Sequence, residues 1–172
     1  AINATAVTTI TGTAADINSV YAASAAGTIT GLGNEAVTIL DAITVDEANT
    51  INGLTAGIVT ATISDGDLST LTGLTETGNA YSITITDASV AASALNTLNS
   101  KTTTDLTVNS TTITGTIAEI DSVYNSSGIT GLGNEAITVN DTLTVAQFND
   151  LEANTTGVIT ATISDGDIST LA

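Results

Sequence analysis

The sequence predicts an α/β repeat: a β-solenoid-like stack of parallel strands with one short helix in each unit of roughly 30 residues. Three observations predict it. Whole phrases return after about a hundred residues, the length of a long internal repeat, so that residues 9–72 match residues 112–172. Short runs alternate threonine with Ile, Val or Ala, the period of a half-buried strand. Helix-start signals follow those runs at regular intervals. The whole of 1–172 therefore reads as a single repetitive domain; the alternative is a compact duplicated α/β domain with two pseudo-symmetric halves.

Along the chain, TITGTAADINSVY (residues 9–21) gives a short strand, a cap at Thr13-x-x-Asp16 and a helix. ITGLGNEAVT (29–38) is a glycine turn leading into a strand. DAITVDEANTINGLTAGIVTATISD (41–65) states the unit in full: strand, capping box Thr44-x-x-Glu47, helix, glycine-containing loop, strand. In its last strand Val59, Ala61 and Ile63 share one face, and Thr60, Thr62 and Ser64 the other. SITIT (82–86) repeats the alternation with Ile83 and Ile85. Asp87 is expected to cap a helix running from Ser89 through Val90, Ala94, Leu95 and Leu98. TITGTIAEIDSVY (112–124) then restates the opening, with a capping box at Thr116-x-x-Glu119 and apolar Ile117, Ile120, Val123 and Tyr124 at helical spacing. ITGLGNEAIT (129–138) and NDTLTVAQFNDLEANTTGVITATISD (140–165) complete the second copy, with Thr144-x-x-Gln147 as its cap and Ile159, Ala161 and Ile163 on one strand face. Glycines 27, 57, 128 and 157 are expected to end the helices. The chain has no proline, which suits a stack that uses its backbone N–H groups in ladders.

Composition narrows function before any motif does. Acidic residues number 18 against one basic residue, Lys101, for a formal charge of −17. Mean hydropathy is nonetheless +0.36, so there is enough apolar matter for a core, which is not the signature of disorder. With one Phe and three Tyr, that core must be built from Ile, Val, Leu and Ala. Nucleic acid is excluded as a partner, because displacing counterions from phosphates needs a basic surface. Anionic membranes would repel the chain, and no apolar run is long enough for insertion. No Cys and no His removes disulfides, thiolate metal sites and the commonest general base. An enzyme is therefore not expected, and no cofactor other than calcium. Abundant threonine, alanine and aspartate with almost no lysine points to a secreted or cell-surface protein that stays soluble in salt.

The sharpest site candidates are the duplicated Asp-Gly-Asp turns, Asp65 with Asp67 and Asp165 with Asp167. Carboxylates two residues apart about a glycine can hold a hard cation such as calcium. The same residues also suit a strand-ending turn and a helix N-cap. Glu35 and Glu135, in the repeated GLGNEA, could serve as a carboxylate pair, but one per copy at equivalent positions is the pattern of repeated structure. Rows at Thr60/Thr62, Thr84/Thr86, Thr112/Thr114 and Thr160/Thr162 would set hydroxyl ladders on a flat face, suited to ordered water, ice or surface polysaccharide, or to plain solvation. Lys101 reads as a surface lysine. Asn-x-Ser/Thr sequons stand at Asn3, Asn109, Asn125, Asn140 and Asn154.

TITDASVAASALNTLN and VTATISDGDLSTL resemble tandem repeats of very large secreted proteins of bacteria, including cyanobacteria, that are described as adhesin-like, haemolysin-like or surface-layer-associated. The resemblance covers most of the chain and implies an extracellular structural or adhesive role. It transfers no catalytic or binding residue, and the GGxGxD calcium motif is missing. The chain opens and closes in mid-repeat, and the periodic grammar continues when its end is joined to its start. The expectation is a segment or protomer of a surface filament, surface layer or adhesin stalk that associates end to end. The alternative is a binding module for carbohydrate, ice or calcium.

Overall fold

The structure, a computed structural model, describes residues 1–166. It is an α/β fold with parallel strands and short helices. The described residues form two compact units. The first comprises Ala1–Gly66, Thr70–Ile83 and Ser100–Thr104; the second comprises Asp67–Ser69, Thr84–Asn99 and the chain from Asp105 onward. They follow the two copies of the long repeat.

The first copy runs β1 (Ile2–Asn3), β2 (Thr9–Gly12), α1 (Ala14–Ala25), β3 (Ile29–Thr30), β4 (Ala36–Ile43), α2 (Val45–Asn52) and β5 (Val59–Ile63). After it come α3 (Leu68–Leu71) and β6 (Ala80–Ile85). In the first unit β2, β4, β5 and β6 lie side by side in that order, all parallel, and β1 pairs with β3. Each strand pairs with one that follows it across a helix, which antiparallel hairpins could not do. Val37, Val59, Ala61, Ile63, Tyr81 and Ile83 turn to the core, with Ile17 and Ile51 from the helices. Their threonine neighbours face outward, so the strand faces fall as the alternation predicts.

The second copy is preceded by β7 (Ser89–Ala91), α4 (Ala92–Asn99) and β8 (Leu106–Val108). It then runs β9 (Thr112–Gly115), α5 (Ile117–Tyr124), β10 (Ile129–Thr130), β11 (Ala136–Leu143), α6 (Val145–Glu152) and β12 (Ile159–Ile163). In the second unit β7, β9, β11 and β12 are adjacent in that order, and β8 pairs with β10, again all parallel. Leu95, Leu98, Ile113, Ile120, Val123, Ile137, Leu143 and Leu151 fill this core. Side chains that bury fully in this way each contribute about 1.5–3 kcal/mol by transfer from water.

The three predicted capping boxes form, at Thr44, Thr116 and Thr144, and the cap expected at Thr13 is a capping box as well. Three expectations need correction. The repeat is shorter than roughly thirty residues: Thr9 pairs with Ala36, Val37 with Val59 and Thr60 with Ala80. A strand–helix–loop–strand phrase contains the first strand of its successor and overstates the period. Ser89–Ala91 is strand rather than helix, because Val90 pairs with Ile113 of β9, and α4 begins at Ala92. Gly57, Gly128 and Gly157 do not end helices; the α2, α5 and α6 C-caps are Gly53, Asn125 and Ala153.

Candidate functional site

Glu35 and Glu135 are among the most buried polar residues described, at 2 % and 1 % exposure. The local sequence builds their enclosure. Thr13 starts α1, and helical spacing brings Ile17 and Tyr21 inward on one face. The GLGNE turn then doubles back through Gly33, whose φ of +129° lies in the region that favours glycine. This aims the backbone at the carboxylate. Gly33 N–H donates to both Glu35 oxygens (3.0 and 2.8 Å) and Asn34 N–H donates at 3.1 Å. The Tyr21 hydroxyl donates to Oε1. Thr55 Oγ1 donates to the Glu35 carbonyl at 2.6 Å and accepts the Gly57 N–H at 3.0 Å. Gly57 is there because a Cβ would come within 2.3 Å of the Glu35 carbonyl oxygen.

The second copy repeats the tyrosine, glycine and threonine contacts. Tyr124 donates to Glu135 Oε2 at 2.8 Å, Gly133 N–H donates to both oxygens at 3.0 Å, and Thr155 Oγ1 donates to the Glu135 carbonyl at 2.8 Å. Tyr and Glu are 14 residues apart in the first copy and 11 in the second. The three-residue deletion is absorbed in the helix, which has 12 residues in α1 and 8 in α5. Burial pushes the Glu35 carboxyl up, but the Tyr21 and backbone donors outweigh it and hold the group below the usual carboxylate range. Burial and the adjacent Glu35 carboxylate raise Tyr21, and burial with Glu135 raises Tyr124. These carboxylates serve as anchors, each closed within its own unit by its own tyrosine. Sequence reading missed the tyrosines, although two of only three in the chain recur at the same place in the repeat.

The Asp-Gly-Asp residues do two different jobs. Asp65 Oδ2 accepts the N–H of Val45, the first residue of α2, at 2.7 Å across 20 residues of sequence. Asp67 Oδ1 accepts from Ser69 Oγ at 2.6 Å, at the start of α3. Asp165 repeats the first contact on Val145 at 2.7 Å, and Asp167 lies outside the described residues. The same cap recurs elsewhere: Asp41 on Ala14 (2.8 Å), Asp87 on Leu68 (2.6 Å) and Asp141 on Ile117 (2.9 Å). Asp87 thus caps α3 behind it rather than the helix ahead. In each case a carboxylate of the following strand, at the register shift within it (Asp41, Asp141) or just past its end (Asp65, Asp87, Asp165), meets the first amide of the preceding helix, where an anion is favoured. Among the described helices only α4 differs, for β9 ends in Gly115, against whose Cβ position Ala92 would lie at 3.0 Å. Among the described residues no group of three or more His, Cys, Asp or Glu is placed to hold a metal.

The threonines fall into register. Thr11, Thr38 and Thr60 are successive pairing partners in the first unit, and Thr114, Thr138 and Thr160 in the second. Lys101 Nζ donates to the Thr75 carbonyl at 3.3 Å. A pocket of about 410 Å³ is lined by residues including Asn52, Thr55, Glu76 and Asn79. Its asparagines are engaged: Asn79 accepts the Val59 N–H and donates to Asn52, both at 2.8 Å. The Ser110 hydroxyl is buried and has no hydrogen-bond partner. Among the described residues no helix is long and apolar enough to cross a membrane.

No family model, curated protein or solved structure matches the chain.

Proposed function

We propose that this chain is a structural protein of the cell exterior, a segment or protomer of a surface filament, surface layer or adhesin stalk, with its units stacked as a β-solenoid-like array. The observation that carries the reading is the recurring aspartate cap, in which the first amide of a helix is held by a carboxylate from the next repeat along the chain. Acidic side chains placed this way serve cohesion between successive units rather than chemistry on a substrate. The enclosure of Glu35 and Glu135 supports the same reading, since a general acid or base must reach the proton it transfers. So does the resemblance of the repeated phrases to tandem repeats of giant secreted bacterial proteins. Antibody raised against the purified chain tests it on intact cells of the source organism. Surface label that external protease removes is expected, whereas label appearing only after permeabilisation overturns the proposal.

The in-register threonines favour a second reading, a binding module. Adjacent parallel strands set such residues about 4.8 Å apart, a regular hydroxyl array for ice or surface polysaccharide. Retention on ice or on a glycan array, lost in Thr60→Val with Thr160→Val, would establish it. Equal retention of the variant would remove it.

A further inference from the structure

The two copies of the long repeat are covered differently, and each shows what the other lacks. In the second unit β9 is covered by β7, with Ser89, Val90 and Ala91 opposite Thr112, Ile113 and Thr114. Thr112 N–H donates to the Ala88 carbonyl at 3.0 Å, and Thr114 Oγ1 donates to the Val90 carbonyl at 3.3 Å. Gly115 lies against Ala92, and Ile113 is fully buried. β2 carries the same TITG and pairs with β4 as β9 pairs with β11, but it is the outermost strand of its sheet. There Thr9 and Thr11 are exposed and Ile10 is half-buried.

The opposite asymmetry holds at β12. In the first unit β5 pairs onward with β6, and Val59, Ala61 and Ile63 are buried. β12 carries the matching ITATI and pairs with β11 as β5 pairs with β4, but among the described residues it ends its sheet. Its Ile159, Ala161 and Ile163 are half-buried, and Val158 is 74 % exposed.

We propose that the β12 edge of one chain receives the β2 edge of a second copy of this chain as a parallel strand pair, so that chains add head to tail. This rests on the structural reading above and names the partner. A second copy is the occupant because one edge wants a following unit and the other a preceding one. Both wants are met inside the chain, at β5–β6 and at β7–β9. Neither pairing segment, TITG or ITATI, contains a charged residue, in a chain of net charge −17. Repulsion between copies is therefore long-range and screened by salt, while the contact itself is apolar and hydrogen-bonded.

The outward donors identify the blocking variants. Ala36 N–H donates to Thr8 O and Ile137 N–H to Val158 O, so by alternation Thr9, Thr11, Ile159 and Ala161 direct their backbone groups to the open edges. Thr11→Pro removes a donor from the β2 edge and Ala161→Pro one from the β12 edge, positions where an edge strand tolerates proline. Sedimentation velocity from micromolar to millimolar concentration, at low and high salt, reads the result. The wild type is expected to form species that grow with concentration and salt. Each variant alone stays monomeric, and their equimolar mixture forms a dimer that grows no further. Melting curves confirm folding, and Thr9→Pro replaces Thr11→Pro if that variant unfolds. A wild type that is monomeric throughout overturns the proposal, as does a single variant that still assembles or pairs with itself. Either outcome leaves the surface-labelling test of the structural role untouched.

Discussion

Replacing Glu35 with Gln probes the buried anchor with almost no change in shape. The carboxylate accepts from Tyr21, from Gly33 through both oxygens, and from Asn34. Glutamine keeps one acceptor oxygen and turns an NH₂ toward donors, so one or two of these bonds are lost where water cannot replace them. Hydrogen bonds to a charged group contribute about 1.5–3 kcal/mol each, and non-additivity among shared partners brings the sum to about 3 kcal/mol. For a chain of this size that lowers the melting temperature by about 6–12 °C. Tyr21→Phe should cost about 1.5–3 kcal/mol, and the double variant less than the sum of the singles by about 1 kcal/mol or more. Urea unfolding followed by circular dichroism measures all three. The pH dependence has a fixed sign. Because Glu35 is held below the usual carboxylate range in the fold, its contribution is fully present above the unfolded value of about 4.3. It is lost as pH falls through the depressed folded value. The wild type should therefore lose its advantage over Glu35→Gln in acid. A Glu35→Gln variant within about 0.5 kcal/mol of wild type at neutral pH would refute the reasoning.

Other outcomes follow from the same geometry. Gly57→Ala and Gly157→Ala drive a Cβ to within 2.3 and 2.1 Å of a carbonyl oxygen and should each destabilise by about 2–4 kcal/mol in urea melts. Ser110→Ala removes a buried hydroxyl that has no partner and should stabilise by about 1 kcal/mol; a loss of stability would reveal a bridging water. Burial and the nearby Asp150 raise the Asp121 carboxyl, so its contribution is fully present below the unfolded value and is lost as pH rises through the folded one. Asp150→Asn should accordingly raise the melting temperature slightly at neutral pH and leave it unchanged in acid. Burial and Glu76 push Tyr81 up to about 12, so phenolate absorbance in an alkaline titration should show Tyr81 ionising well after a free tyrosine.

What could be read in the sequence was what is local. Thr44 and Glu47 are three residues apart and meet within one helical turn, so their capping box needs no knowledge of the fold. The alternation of Val59, Thr60, Ala61 and Thr62 fixes a strand face for the same reason. Asp87 is misread, and the partner of Asp65 is missed, because Leu68 and Val45 lie 19 and 20 residues back in sequence and become neighbours only once strands pair. Ser89–Ala91 has the composition of a helix start, but pairing of Val90 with Ile113 decides its conformation. Gly57 reads as a helix end because its true constraint, the Glu35 backbone, lies 22 residues back and meets it only once strands pair. Tyr21 and Glu35 were each visible in the repeat, while their contact required the GLG turn to fold back.

The most direct test of cohesion through shared aspartate caps is amide hydrogen exchange at Val45 and Ile117, in EDTA and then in millimolar calcium. Protection of both amides in either condition is expected, with Val45 alone losing protection in Asp65→Asn and Ile117 unchanged. Exchange of Val45 at the rate of an unprotected amide in EDTA, with protection appearing only when calcium is added, would contradict the caps and make Asp65 a metal ligand instead.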